Sequence, residues 1–397
     1  MKILYYSPHP THDIVSEVGY ATHQREVILA LKQMGHDVLP VIMGGTEPSD
    51  LNPLASGDYK PSPVKLLIKK LVPSWLWTSF NNYKLRQHDR KAGERLKNAV
   101  EQFKPDLIYE RSEYLQDSGA KLASSYGIKY FLEVNAPFVE EMHAFEGFSL
   151  YHKLAHKIEK YKLEKADKVF AVSTSLADFL IKRYQCDSDK IFVQPNCINP
   201  SKISIQEDAV IKIKSDLSIG SKKVIGFVGS MFPYHGVDLL ISAFAEVHKM
   251  HPETVLMVVG DGSILSQLKE QAIRLSVHND VIFTGKIPHK HVFNYISAMD
   301  ICIMAKSNWY GSPVKLFEYG LMKKPIIAPD TIPVRDVMVH EQDALIVKDE
   351  VKDLIVAIHQ ILKSTDLANR MAETFYQKVL AQFQWEHAAN NIINQCK

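Results

Sequence analysis

The sequence predicts an α/β protein built from two parallel, Rossmann-like sheets in tandem. Three observations carry this: short apolar runs recur with helix-length segments between them, glycine turns follow several of the runs, and one polar stretch near the middle separates two such series. At 397 residues the chain exceeds a comfortable single core. It suits two domains of about 200 residues each.

Taken in order, KILYYS (2–7) suits a buried parallel strand, and a periodic stretch from Val18 to Met34 follows, closed by Gly35 at a helix C-cap position. HDVLPVI supplies the second strand, and DLIYE, KYFLEVN, KVFAVS and KIFVQPN continue the series. From about residue 200 to 220 the chain turns polar and rich in Ile, Lys and Ser, the best linker candidate. A second series begins with KVIGFVGSM and runs through TVLMVVGDG, DVIFTGKI, DICIMA, KPIIAPD and ALIVK, with a helical tail from about residue 350. Ligands of such sheets bind beyond the carboxyl ends of the strands, so the cleft between two tandem domains is the default site.

Bulk properties narrow the function. Hydrophobic residues are 46% and charged residues 23% of the chain, as in ordinary globular proteins. No run approaches the roughly 18 apolar residues of a spanning helix, and the N-terminal run is too short for a signal peptide, so a cytoplasmic location is expected. Cys186, Cys197, Cys302 and Cys396 are scattered without a C-x-x-C pair, which argues against a zinc site or a disulfide framework. The net charge is +2, yet residues 60–97 carry ten Lys or Arg against Asp89 and Glu94. That distribution excludes a uniformly basic nucleic-acid binder and indicates one local positive surface.

The glycine turns GFVGS (226–230) and GDG (260–262) let backbone approach a ligand, but neither fits G-x-G-x-x-G, which disfavours a nicotinamide cofactor. SPVKLFEYG (312–320) says more. Ser312 suits an N-cap and Pro313 a first helical position, which leaves the amides of Val314, Lys315 and Leu316 free to meet an anion. Lys315 adds a formal charge suited to a diphosphate, and Glu318, three residues on, suits a ribose diol. On spacing alone, a surface Lys/Glu pair on a capped helix explains the same residues.

These motifs, in order, resemble glycosyltransferase family 4, the retaining GT-B enzymes, over nearly the whole chain. SPVKLFEYG followed by KKPIIAPD is similar to the family's SPLKLFEYMAAGKPIVA variant, and GFVGSMFPYHGVDLLISAF, VVGDG and VIFTGKIPH extend the likeness through the second half. PDLIYERSEY, FLEVNAPFVEE and VFAVSTSLADFLI carry it in the first half. FQWEHAANNII resembles the family's closing helices that cross back onto the N-terminal domain. The implied architecture is two Rossmann-like domains facing across a cleft: an acceptor-binding domain (1–200), a nucleotide-sugar-binding domain (201–375) and a crossing helix (376–397).

The resemblance also assigns residues. Glu318 matches the second acid of an E-x7-E motif, which holds the donor's ribose, and the amides near Val314 and Lys315 match the diphosphate-binding turn. Gly19 and Gly229 match glycines that face the phosphates and end the second domain's first strand. The backbone of Lys286 and Ile287 lies where the nucleobase is read. Departures are equally specific: Tyr310 stands at the first acid of E-x7-E, Ser230 and His235 stand at a usual Arg and Lys, and Asn135 stands at a usual His.

Retention through a same-face route needs no enzymic base when the leaving phosphate takes the acceptor proton, so the protein's task is electrostatic. Lys315, the helix amides and His235 are the candidates for it. Asn135 and Glu133 are expected on the acceptor and sugar side, with Glu110 and Arg111 either beside them or joined as a structural ion pair. With no D-x-D motif, no metal and no cofactor beyond the nucleotide sugar is implied.

The segment 60–97 interleaves its charges with Leu66, Leu67, Leu71, Trp75, Trp77 and Phe80. It suits the interface of an anionic membrane, with the chain peripheral on the inner face and a glycan or lipid-linked acceptor, or else it packs its apolar side on the first domain. The rival readings are a nucleotide-sugar epimerase on the same fold and a glycan-binding scaffold without turnover.

Overall fold

The computed structural model describes residues 1–16, 18–45 and 72–396. Leu66, Leu67 and Leu71 of the basic segment lie outside the described residues. The chain forms two compact units, Met1–Gln194 with Ala388–Lys397, and Pro195–His387.

In the first unit the described elements are β1 (Lys2–Ser7), α1 (Gly19–Gln33), β2 (Asp37–Ile42), α2 (Ser74–Phe103), β3 (Leu107–Arg111), α3 (Ser118–Tyr126), β4 (Lys129–Val134), α4 (Phe138–Glu146), α5 (His152–Lys165), β5 (Lys168–Ala171), α6 (Thr174–Tyr184) and β6 (Ile191–Val193). The strands pair in parallel in the order β2-β1-β3-β4-β5-β6. The order reverses between β1 and β3, so the loops after these two strands flank a topological switch point.

The second unit holds α7 (Glu207–Asp216), β7 (Lys223–Val228), α8 (Val237–Met250), β8 (Thr254–Val259), α9 (Leu265–Arg274), β9 (Val281–Gly285), α10 (His289–Ala298), β10 (Ile301–Ile303), α11 (Val314–Leu321), β11 (Ile326–Pro329), α12 (Ile332–Arg335), β12 (Leu345–Val347), α13 (Val351–Lys363) and α14 (Thr365–Gln382). Its sheet is parallel in the order β12-β11-β10-β7-β8-β9, with the reversal between β7 and β10. Alternation along each strand feeds two cores. Val224 and Val228 join the cluster that contains Leu316 and Phe375, while Ile225 and Phe227 join the one that contains Leu240 and Leu354. Each buried Phe or Leu contributes about 1.5–3 kcal/mol, so both sheet faces are tightly determined.

Two expected boundaries shift. The polar stretch taken as a linker contains α7, whose Val210 and Ile213, with Leu217 just beyond, pack against the second core; the i, i+3, i+7 stripe is hidden among Lys and Ser. The chain therefore changes unit at Gln194/Pro195. Near the end, α14 runs unbroken past residue 376 and buries Phe375 and Val379 in the second unit, so only the part of α15 (Trp385–Asn394) from Ala388 onward joins the first unit.

Candidate functional site

At the second unit's switch point, β7 delivers Gly229 and α11 delivers Lys315. Tyr319 sets their approach, its hydroxyl accepting the Val228 amide at 2.9 Å. Gly229 has φ +145, and a Cβ there would lie 2.7 Å from the Lys315 Nζ. A second glycine, Gly260 at φ +136, is needed because a Cβ would sit 2.0 Å from the Gly229 carbonyl oxygen. GDG therefore serves the packing of two strand ends, quite apart from any ligand.

The Lys315 ammonium is buried and, among the described residues, has no hydrogen-bond partner. It lies 4.5 Å from the centroid of the Phe227 ring, and burial lowers its pKa to about 8, with Glu318 opposing. The surface Lys/Glu pair therefore does not form. Glu318, itself buried, turns instead to His289, whose Nε2 lies 2.9 Å from its Oε1. His289 opens α10 just after Lys286 and Ile287, the former exposed and the latter packed against the core, so α11 and the turn after β9 meet through this pair.

The start of α11 differs from the sequence reading. Ser312 is not its N-cap, because its Oγ accepts the Asn196 amide at 3.0 Å while its carbonyl accepts from Asn196 Nδ2 at 2.8 Å. Extended Pro313 takes the N-cap position, and the Leu316 amide is closed by the Pro313 carbonyl at 3.2 Å. Among the described residues, the amides of Val314 and Lys315 keep no backbone partner.

A pocket of about 130 Å³ lies against this turn, lined among others by Tyr234, His235, Asn308, Ser312, Pro313 and Lys315. Tyr310 stacks edge-on against the exposed Trp309 at 5.2 Å between centroids. His235 does not bring positive charge: its Nδ1–H donates to the carbonyl of the exposed Ser230, and burial, helped by Lys315, lowers its pKa to about 4. The neutral ring keeps Nε2 as an acceptor.

In the first unit, Glu133 ends β4 and is saturated. Its Oε1 accepts from Arg111 Nη1 at 2.8 Å and Asn135 Nδ2 at 2.6 Å, and Oε2 accepts from Tyr109 at 2.8 Å. His23 Nε2 lies 2.9 Å from Oε1. Burial would raise the carboxyl's pKa, but His23 and Arg111, with the Asn135 hydrogen bond, outweigh it and hold it well below the usual range. Glu110 and Arg111 form no pair, because neighbours on a strand face opposite sides. Glu110 is fully buried on the far side, and burial raises its pKa to about 8. It therefore does not share a side of the sheet with Glu133 and Arg111, beside which it was expected.

The switch point between β1 and β3 carries residues that the sequence reading missed. His12 Nδ1 lies 2.8 Å from Glu113 Oε1, and His9 stacks on His12 at 3.8 Å. His9, His12 and Glu113 place one possible metal-ligating atom each within 4.8 Å of one another. The H-x-x-H spacing was visible, but its third member lies a hundred residues away. Gly19 opens α1 with open space where a Cβ would stand, so packing does not demand glycine there.

Comparison with known proteins gives consistent results. Residues 19–202 match the model of Glycosyltransferase Family 4 and residues 210–378 that of Glycosyl transferases group 1, together most of the chain. An uncharacterized glycosyltransferase of Methanocaldococcus jannaschii is 26% identical over 58% of this chain, and the match spans 58% of that relative's length. The α-monoglucosyldiacylglycerol synthase of Streptococcus pneumoniae is 25% identical over 73% of this chain and 63% of its own. The crystal structure of Anabaena HepE in complex with UDP superposes with a TM-score of 0.72 at 16% identity, covering 100% of this chain and 99% of that one.

Proposed function

Because the chain belongs to the family-4 type of GT-B glycosyltransferases, we propose that it transfers a sugar, with retention, from a nucleoside diphosphate sugar to an acceptor hydroxyl. The observation that carries this reading is Lys315: a buried ammonium with no hydrogen-bond partner among the described residues, beside two open helix amides and a pocket. Such a grouping of donors suits a negatively charged ligand.

In this reading the β-phosphate lies against Lys315 and the amides of Val314 and Lys315, and the ribose diol donates to Glu318, which His289 orients. The bond from the anomeric carbon to the β-phosphate oxygen breaks, the acceptor oxygen bonds to that carbon on the same face, and the acceptor proton passes to the departing phosphate. Lys315 and the amides stabilise the negative charge that develops on the leaving group. His235, neutral, contributes a hydrogen-bond acceptor at Nε2, and Tyr310 replaces an acid as the neighbour of the transferred sugar. Glu133 acts as the hub that fixes Arg111, Asn135 and Tyr109, leaving Arg111 and Asn135 as the groups toward an acceptor. The nucleotide sugar is the sole co-substrate. The acceptor is a glycan or lipid-linked hydroxyl of surface-glycan or glycolipid assembly, met with the chain peripheral to a membrane; the likeness to a diacylglycerol glycolipid synthase supports this choice.

A second reading, a glycan-binding scaffold without turnover, draws on Tyr310, Ser230 and Asn135 standing where the family's charged groups are usual. Incubation with UDP-, GDP- and ADP-sugars, read by thermal shift and nucleotide release, separates the two. Stabilisation with acceptor-dependent release supports transfer, and stabilisation alone supports the scaffold. No stabilisation by any nucleotide sinks the donor site itself.

A further inference from the structure

The first unit exposes a concentration of large apolar side chains that the donor site does not use. On the opening turns of α2, Trp75, Leu76, Phe80 and Tyr83 are 41–48% exposed, and at the end of α4 and in the loop after it Phe145, Phe148 and Leu150 are 57–72% exposed. Three hydrogen bonds join the two segments. Thr78 donates to the Glu146 carbonyl at 3.1 Å, Asn82 to Ser149 Oγ at 2.7 Å, and the Leu150 amide to Ser79 Oγ at 3.0 Å. Beneath them, Leu85, Phe138, Met142 and Tyr151 pack on the cluster of Tyr114, Val139 and Ile158. The exposed rings are thus held outward by a built support.

Charge identifies the occupant. Lys84 holds its ammonium 4.4 Å from the Phe80 centroid, and Arg90 continues the Leu76, Phe80, Tyr83 stripe two turns on, exposed. On α5, exposed Lys153 and Lys157 flank Leu154, itself 39% exposed. Glu141 and Glu146 on α4 are the acids beside these rings, and Lys84, Arg90, Lys153 and Lys157 outnumber them. Aromatic and aliphatic groups rimmed by Lys and Arg match the headgroup and acyl boundary of an anionic bilayer, whereas monomeric soluble proteins rarely expose contiguous apolar patches of this kind.

We infer that this composite face, the start of α2 together with the end of α4 and the loop after it, docks the protein onto an anionic membrane. The sequence had pointed only to residues 60–97; the structure adds Phe145, Phe148 and Leu150 from 50 residues further on. The inference rests on the transferase reading only for its purpose, presentation of a lipid-linked acceptor. The binding itself is a separate matter.

The test is co-sedimentation of the full chain with vesicles of phosphatidylglycerol and phosphatidylcholine, against phosphatidylcholine alone, at low and high salt. Binding to the anionic vesicles is expected, weakened but not abolished by salt because the apolar contribution is unscreened. The double variant F145E/F148E, at exposed positions where folding is not at stake, is expected to bind roughly tenfold less. Its thermal shift with nucleotide should stay unchanged, so a failure of this face and a failure of the donor site are told apart. Absence of binding by the wild type, or equal binding by the variant, overturns the inference. So does lipid-free self-association that the same substitutions abolish, which would make the face a contact between copies.

Discussion

The Lys315 ammonium and the Phe227 ring lie 4.5 Å apart, ammonium to centroid, and among the described residues the ammonium has no hydrogen-bond partner. Burial lowers the lysine's pKa to about 8. Binding of a diphosphate requires the charged form, so nucleoside diphosphate affinity is expected to fall as pH rises through about 8 and to stay flat below it. In Lys315→Met that limb should vanish and turnover should drop by about 10²–10³-fold. Titration calorimetry across pH, with and without the substitution, checks both. A wild-type profile that is flat through pH 9 would refute the site.

Glu318 and His289 form a pair separate from Lys315. Glu318→Ala is expected to weaken nucleotide binding by about 1–3 kcal/mol, since a buried hydroxyl pair loses its acceptor. His289→Ala should cost less, because it removes only the group that orients the acid. Stopped-assay kinetics should show both effects mainly in KM for the donor, in contrast to Lys315.

Gly229→Ala tests the close approach of β7 and α11. The residue has φ +145 and its Cβ would stand 2.7 Å from Nζ, the far end of a flexible chain that gives way. A stability loss of about 1–3 kcal/mol from backbone strain is expected. Donor affinity should fall further than stability accounts for, as Lys315 is displaced. Urea unfolding and calorimetry together separate the two.

Glu110 is a stability probe independent of the chemistry. Burial raises its folded pKa to about 8, with Lys162 opposing, whereas an unfolded Glu titrates near about 4.3. The unfolded chain loses this proton first, so the group's contribution to stability falls as pH rises from about 4.3 to about 8 and is constant above. Glu110→Gln, which stays neutral, is expected to remove that decline and to be the more stable form at pH 8. The measurement is the difference between wild-type and variant urea midpoints at about pH 5 and about pH 8.

Much of the protein was legible in the chain itself. Runs such as KILYYS and KVIGFVGSM became β1 and β7 because fully buried parallel strands need continuous apolar residues, and the stretch from Val18 to Met34 became α1 because its periodicity left no competing structure. Helix α7 was hidden, since three apolar residues in a Lys- and Ser-rich segment look like a linker until a core stands beneath them. The charged first turn of SPVKLFEYG was likewise plain from composition.

What the local sequence left open was which neighbour each charge would meet. Lys315 and Glu318 are an ion pair on a helical wheel and face different partners in the fold, because Tyr319 docks α11 against β7 and aims one toward Phe227 and the other toward His289. Glu110 and Arg111 are adjacent in the chain and on opposite sides of the sheet. His12 found Glu113 and His23 found Glu133 across about a hundred residues. Periodicity determines which face is buried; only packing of the completed sheets decides which charges share it, since burial and partner together set each group's protonation.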